Sequence, residues 1–169
     1  REGCAMELLV TCPTEQQNTI RDCALRGKNL RVCAHAGSGK TTTLLWAVGQ
    51  LPPIDCQDGE QSTRRILFLE YNRDLRIEAK ERARAAGLHQ VMVHNYDSFL
   101  VEFYDPAAPS HDFQLALRHV LLADVSPLKK FGFETVVVDE VQDMTEEYKH
   151  FVLKILKDNN SLVDDVQLV

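Results

Sequence analysis

Apolar positions along the chain switch between a short-run pattern and a helical spacing, and the switches predict its elements. Apolar runs at Leu30–Cys33, Ile66–Tyr71, Val91–Val93, Thr135–Val138 and Val166–Val169 read as strands. Helical spacing lies between them. Glu15–Leu25 reads as a helix that exits at Gly27, and a second helix runs from Lys40 to Leu51, stopped by Pro52-Pro53. A third follows Tyr71 and ends at Gly87, and a fourth covers Tyr96–Tyr104. Asp112 is placed to cap a fifth, which carries Phe113, Leu117, Val120 and Leu121 on one face. Tyr148, Phe151, Val152, Ile155 and Leu156 form the apolar stripe of a sixth, ended by Asn159-Asn160. Pro52–Thr63 and Asp105–Ser110 are polar and rich in breakers, hence loops. Strands alternating with helices predict an α/β fold, a mainly parallel sheet with helices on both faces.

Two of the strands run into segments with specific chemistry. After Leu30–Cys33 comes Ala34-His35-Ala36-Gly37-Ser38-Gly39-Lys40-Thr41, a phosphate loop of the Walker A kind with Ala34 in place of the first glycine. Glycines let the loop turn its amide hydrogens inward as a nest for phosphate oxygens, and the following helix adds its N-terminal partial positive charge. The nucleotide-binding set expected here is Ala36, Gly37, Ser38, Gly39, Lys40, Thr41 and Thr42, with Lys40 on the β- and γ-phosphates and Thr41 on Mg²⁺. His35 lies inside the loop, as a phosphate neighbour or as a surface residue.

Val136-Val137-Val138 then leads into Asp139-Glu140. Three valines suit a strand buried on both faces, and a carboxylate at its C-terminal end lies where open α/β sheets bind ligands. Asp139 is expected to hold Mg²⁺, largely through water, and Glu140 to polarise an attacking water. Together the two segments predict a site for ATP and Mg²⁺.

Asp139-Glu140-Val141-Gln142-Asp143 resembles the UvrD/Rep-like branch of superfamily 1 DNA helicases. Further segments match that family in order. Thr14-Glu15-Gln16-Gln17 resembles its Q motif, which implies that Gln16 reads the adenine edge. Ile66–Ala79, with Tyr71-Asn72-Arg73, resembles motif Ia in the form closest to the F-box DNA helicases and their viral relatives. His94–Phe99 resembles the next motif, with Asp97 where the family has histidine, and Thr42 stands where bacterial relatives carry arginine.

The resemblance covers nearly the whole chain. It implies a three-layer RecA-like domain spanning 1–169 and a catalytic set of Lys40, Glu140 and Gln142, the glutamine sensing the γ-phosphate or the water. It places Tyr71, Asn72, Arg73 and Tyr96 on the nucleic-acid side, facing single-stranded nucleic acid, most simply DNA, while either tyrosine reads equally as packing at the sheet edge. It also implies a second RecA-like domain and arginine fingers that this sequence does not include. Arg1 is not an initiator methionine and Val169 falls inside an apolar strand, so both ends read as cut from a longer chain.

Composition narrows this further. A chain of 169 residues is one domain with room for a sizeable core. No run approaches the roughly 20 apolar residues of a membrane span, and no signal-peptide pattern opens the chain. Five scattered cysteines, Cys4, Cys12, Cys23, Cys33 and Cys56, read as reduced thiols, which suits an intracellular protein, nuclear if eukaryotic. A net charge of −6 opposes general nucleic-acid binding. Yet Arg64–Arg84 holds seven basic residues against four acidic. Within it, Arg73, Arg76, Lys80 and Arg84 read either as a phosphate-binding stripe or as a solvated face paired with Asp74, Glu78 and Glu81. A helicase or translocase motor is one functional reading. The other is a nucleotide-binding regulatory or scaffold domain without strand separation, which Asp97 and the acidic balance favour.

Overall fold

The computed structural model describes residues 9–35, 37–55, 61–108, 112–160 and 167–168. Its helices are α1 (Glu15–Leu25), α2 (Lys40–Gly49), α3 (Arg73–Ala85), α4 (Tyr96–Phe103), α5 (Phe113–Leu122) and α6 (Glu146–Asn160). Its strands are β1 (Ile54–Asp55), β2 (Gln61–Ser62), β3 (Ile66–Glu70), β4 (Val91–Asn95), β5 (Thr135–Val138) and β6 (Gln167–Leu168). A short 3₁₀ turn, Val141–Asp143, follows β5. The protein is α/β, with a parallel sheet in the order β4-β3-β5-β6.

Alternation along the strands splits the core across the two faces of the sheet. Leu67, Leu69 and Val136 join Tyr96, Phe99, Leu117, Phe151 and Ile155 from α4, α5 and α6. Ile66, Phe68 and Val137 join Leu45 and Val48 of α2 and Ala79 and Ala83 of α3. Small residues on α3 let that helix lie close to the sheet. β5 is anchored at its entry by Asn159 at the end of α6, which is fully buried. The Asn159 side chain accepts from the Phe133 amide at 2.7 Å and donates to the Phe133 carbonyl at 2.9 Å. The asparagine that reads as a helix stop is therefore also a clamp on the strand that carries Asp139.

Three strand expectations change. Leu30–Cys33 forms no strand, although Leu30 and Val32 do pack against the second core cluster. Both edges of β5 are taken, by β3 and by β6, and the two described residues of β6 pair only with β5. The segment therefore has no place beside β5, and it pairs with neither edge strand, β4 or β6. Within Pro52–Thr63, expected to be wholly loop, β1 and β2 form a small antiparallel pair, Ile54 opposite Ser62. The last strand is present at Gln167–Leu168, while Val166 and Val169 lie outside the described residues.

Candidate nucleotide site

Gly37 and Gly39 take φ of +75° and +77°. A Cβ at either would meet nothing within 4 Å, so conformation and not crowding requires glycine there. Gly39 is the N-cap of α2 and Lys40 its first residue, so the helix N-terminus opens directly onto the loop. The Lys40 amine lies 3.5 Å from the carbonyl oxygens of Ala34 and His35 and 3.7 Å from Glu140 Oε1. None of these is at the ~2.7–2.9 Å of a tight charge-assisted bond, so the amine is loosely held and can be drawn to a stronger anion. Ala36 lies outside the described residues. Ser38 is exposed, and its amide donates to the His35 carbonyl at 3.2 Å, which closes the turn.

The acidic segment meets this loop from the sheet. Thr41 Oγ1 donates to Asp139 Oδ2 at 2.5 Å, across a separation of 98 residues. Asp139 is 3% exposed, and its amide donates to the Leu69 carbonyl at 3.0 Å, extending the β3–β5 pairing by one step. Glu140 then takes φ 52° and ψ 40°, a left-handed conformation that costs a non-glycine residue about 1–3 kcal/mol. Its amide is held by Asp139 Oδ1 at 2.9 Å. This sharp exit from β5 brings the Glu140 carboxylate to Lys40 and to the side-chain amide of Gln142, which donates to it. Lys40, Thr41, Asp139, Glu140 and Gln142 thus form one connected cluster.

A cavity of about 240 Å³ opens beside the loop. It is lined by loop residues, by Thr42 and Glu140, and by two groups that sequence reading missed. One is Glu70, the last residue of β3, which is 1% exposed with no hydrogen-bond partner on either carboxylate oxygen. Burial, followed by the charges of Asp139, Glu140 and Glu78, pushes its pKa up to about 8, while Arg82 pulls it down. The signal was a glutamate closing an otherwise apolar run. The other is Arg82 of α3, which donates to Thr42 Oγ1 at 2.7 Å and pairs with Glu78. Its place on the helix carried no hint of the cavity, because only the packing of α3 against α2 brings it there.

Gln16 is exposed, and its neighbour Gln17 is the residue turned toward α2. Gln17 completes a capping box with Thr14 and donates to Thr43 Oγ1 at 2.9 Å. One helical position rotates the side chain by about a quarter turn, and the capping geometry decides which glutamine faces inward.

Of the residues expected on the nucleic-acid side, Tyr96 requires correction. It is fully buried and stacked on Tyr148, with ring centroids 4.6 Å apart, so no base can reach its face. Its position at the start of α4, facing the first core cluster, puts it inside. Its hydroxyl has no partner. Tyr71 is partly buried, edge-on to Tyr148 at 6.1 Å. Asn72 and Arg73 are exposed, and the Asn72 side chain caps α3 by accepting from the Leu75 amide at 3.0 Å.

Among the described residues, no group of three His, Cys, Asp or Glu side chains comes together to hold a metal. Mg²⁺ at a phosphate site does not need one, since it takes one or two protein ligands and completes its shell with water and phosphate oxygens. Thr41 and Asp139, in contact, fit that donor set. No helix among the described residues is long and apolar enough to cross a membrane. No protein-family model matches the chain, and no curated protein matches it in sequence.

Proposed function

We propose that this chain is the first RecA-like, ATP-binding domain of a UvrD/Rep-like DNA helicase or single-stranded DNA translocase, with the three-layer fold of that class. The observation that carries the reading is the contact of Thr41 with Asp139, with Lys40 beside Glu140. A loop built for phosphate and an acid pair suited to a cation and a water meet in space, although far apart in sequence. Lys40, the loop amides and the α2 N-terminus bind the phosphates of ATP. Thr41 and Asp139 hold Mg²⁺, which neutralises phosphate charge when bound. Glu140 orients and polarises the water, and Gln142, hydrogen-bonded to Glu140, links that water to the state of the γ-phosphate. The cavity is smaller than the ~300–1,000 Å³ of most ligand pockets, which fits a site completed by a second RecA-like domain. Asn72 and Arg73 face the single-stranded nucleic acid. The setting is intracellular, nuclear if eukaryotic.

A nucleotide-binding scaffold without strand separation is the second reading. It gains from the burial of Tyr96, which removes a base-stacking ring from the expected nucleic-acid side.

Titration with a fluorescent ATP analogue tests the site: equal affinity of wild type and Lys40→Ala overturns the nucleotide assignment. ATPase assays on the full-length protein separate the two readings. Glu140→Gln lowers hydrolysis by roughly 10²–10⁴ while ATP still binds, and Gln142→Ala blunts stimulation by single-stranded DNA. Wild-type hydrolysis that ignores every nucleic acid favours the scaffold.

A further inference from the structure

β4 is an edge strand, paired on one side with β3 in the register Ile66↔Val91 to Glu70↔Asn95. In a parallel ladder, alternate residues turn their backbone groups to opposite sides. The Gln90 carbonyl accepts from the Ile66 amide at 3.0 Å, so residues 90, 92 and 94 face β3, while Val91, Val93 and Asn95 face outward. The Val91 amide is satisfied by the Leu88 carbonyl at 3.2 Å and the Asn95 amide by Ser98 Oγ at 3.1 Å. The Val93 N–H and C=O and the Val91 C=O have no partner among the described residues. These are the groups that a further strand would bond.

A groove of about 530 Å³ runs along this edge. Its α3 lip carries Arg76, Lys80 and Arg84, none of which makes an ion pair among the described residues. The stripe is solvated, with Lys80 and Arg84 exposed, but the pairing expected for it is not formed: the ion pair within α3 is Arg82–Glu78, on a different face. The other lip carries the acidic Glu102, already engaged by Lys129 at 2.6 Å. His94 beneath the groove responds to this field. Burial first lowers its pKa, to about 4, with Glu102 opposing and Arg76, Lys80 and Lys129 pushing the same way. On the α4 side Met92 is 41% exposed and offers apolar contact.

The spacings agree. Residues four apart on a helix are ~6 Å apart along its axis. Alternate side chains of an extended strand are ~6.6–6.8 Å apart. A strand laid beside β4 therefore presents every second side chain to Arg76, Lys80 and Arg84 in turn, and the intervening ones to Met92.

We propose that the open edge of β4 is a strand-addition site for an extended segment of a partner protein in which acidic side chains alternate with apolar ones. A nucleic-acid strand fits less well. Among the described residues the one exposed ring in the groove is the imidazole of His89, with no exposed Phe, Tyr or Trp to make a stacking platform, and a phosphate backbone has no use for Met92 or for the paired donor and acceptors of the edge.

The test uses the whole chain and three labelled probes followed by fluorescence anisotropy: a short peptide of alternating glutamate and valine, a peptide of the same composition with its glutamates clustered, and oligothymidine. Binding of the alternating peptide over the clustered one, weakened at least about tenfold in Arg76→Glu/Lys80→Glu, is expected. Hydrogen exchange on the wild type supplies a readout without mutation, because the alternating peptide should protect the Val93 amide. Equal binding of both peptides reduces the site to bulk attraction and overturns the proposal. Binding of oligothymidine alone, lost in the double variant, replaces it with a phosphate track. Absence of peptide binding, or an unprotected Val93 amide in the complex, also overturns it.

Discussion

Glu70→Gln should change the way stability depends on pH, and even the sign of the effect should change with pH. Glu70 is 1% exposed, its oxygens are unpartnered, and its pKa is raised from 4.5 to about 8, mainly by burial. Below the unfolded value the carboxyl is protonated in both states, and its ionisation takes nothing from stability. As pH rises through that window the unfolded chain releases the proton and the folded chain keeps it, so stability falls until the folded value is passed. The window from 4.5 to about 8, at ~1.4 kcal/mol per pH unit, sets a loss of about 5 kcal/mol when complete, of which about 3 kcal/mol is already present at neutral pH. Glutamine keeps the shape of the neutral acid and does not titrate, but its extra donor hydrogens cost about 1–3 kcal/mol in a buried place. The variant should therefore be slightly less stable than wild type near pH 5 and more stable, by roughly 1–3 kcal/mol, near pH 8. Urea denaturation at a series of pH values measures the difference between the two proteins. Groups that titrate alike in both cancel in that difference. A difference that stays constant from about pH 5 to pH 8 would refute the buried, proton-retaining Glu70.

Three other outcomes follow from single side chains. His94, lowered from 6.5 to about 4 chiefly by burial, contributes stability that is present above 6.5 and lost as pH falls toward 4. His94→Gln should flatten that acid limb in the same denaturation series. Tyr96→Phe removes a buried hydroxyl with no partner, so thermal unfolding should show equal or greater stability, by up to about 1–3 kcal/mol. Reduced nucleic-acid affinity in that variant, with stability unchanged, would contradict its place in the core. Gln17→Ala, which breaks the capping box and the tie to Thr43, should cost about 1 kcal/mol in chemical denaturation, whereas Gln16→Ala should cost nothing measurable.

The helices and the left-handed glycines were legible because they are local. The stripe from Tyr148 to Leu156 and the positive φ of Gly37 and Gly39 depend on residues within a few positions of one another, whereas of the caps only Asp112 was expected, and it stands at the N-cap of α5 without a side-chain cap bond. The phosphate loop and the acid pair were legible as chemistry for the same reason. Their meeting through Thr41 and Asp139 was an expectation that only the order of strands could realise. Glu70 and Arg82 enter the site through β3 and α3, Gln17 of α1 reaches Thr43 beside it, and nothing near them in the chain says which neighbour each will face. Leu30–Cys33 has a strand's composition, yet pairing depends on where the fold carries the segment relative to a sheet edge. Tyr96 reads as a base-stacking ring or as sheet-edge packing until α4 turns it onto Tyr148. Periodicity and backbone demands are properties of adjacent residues, so the sequence alone determined them. Burial, edge status and the field at a carboxylate are sums over residues distant in the chain, so only the packed tertiary structure decided them.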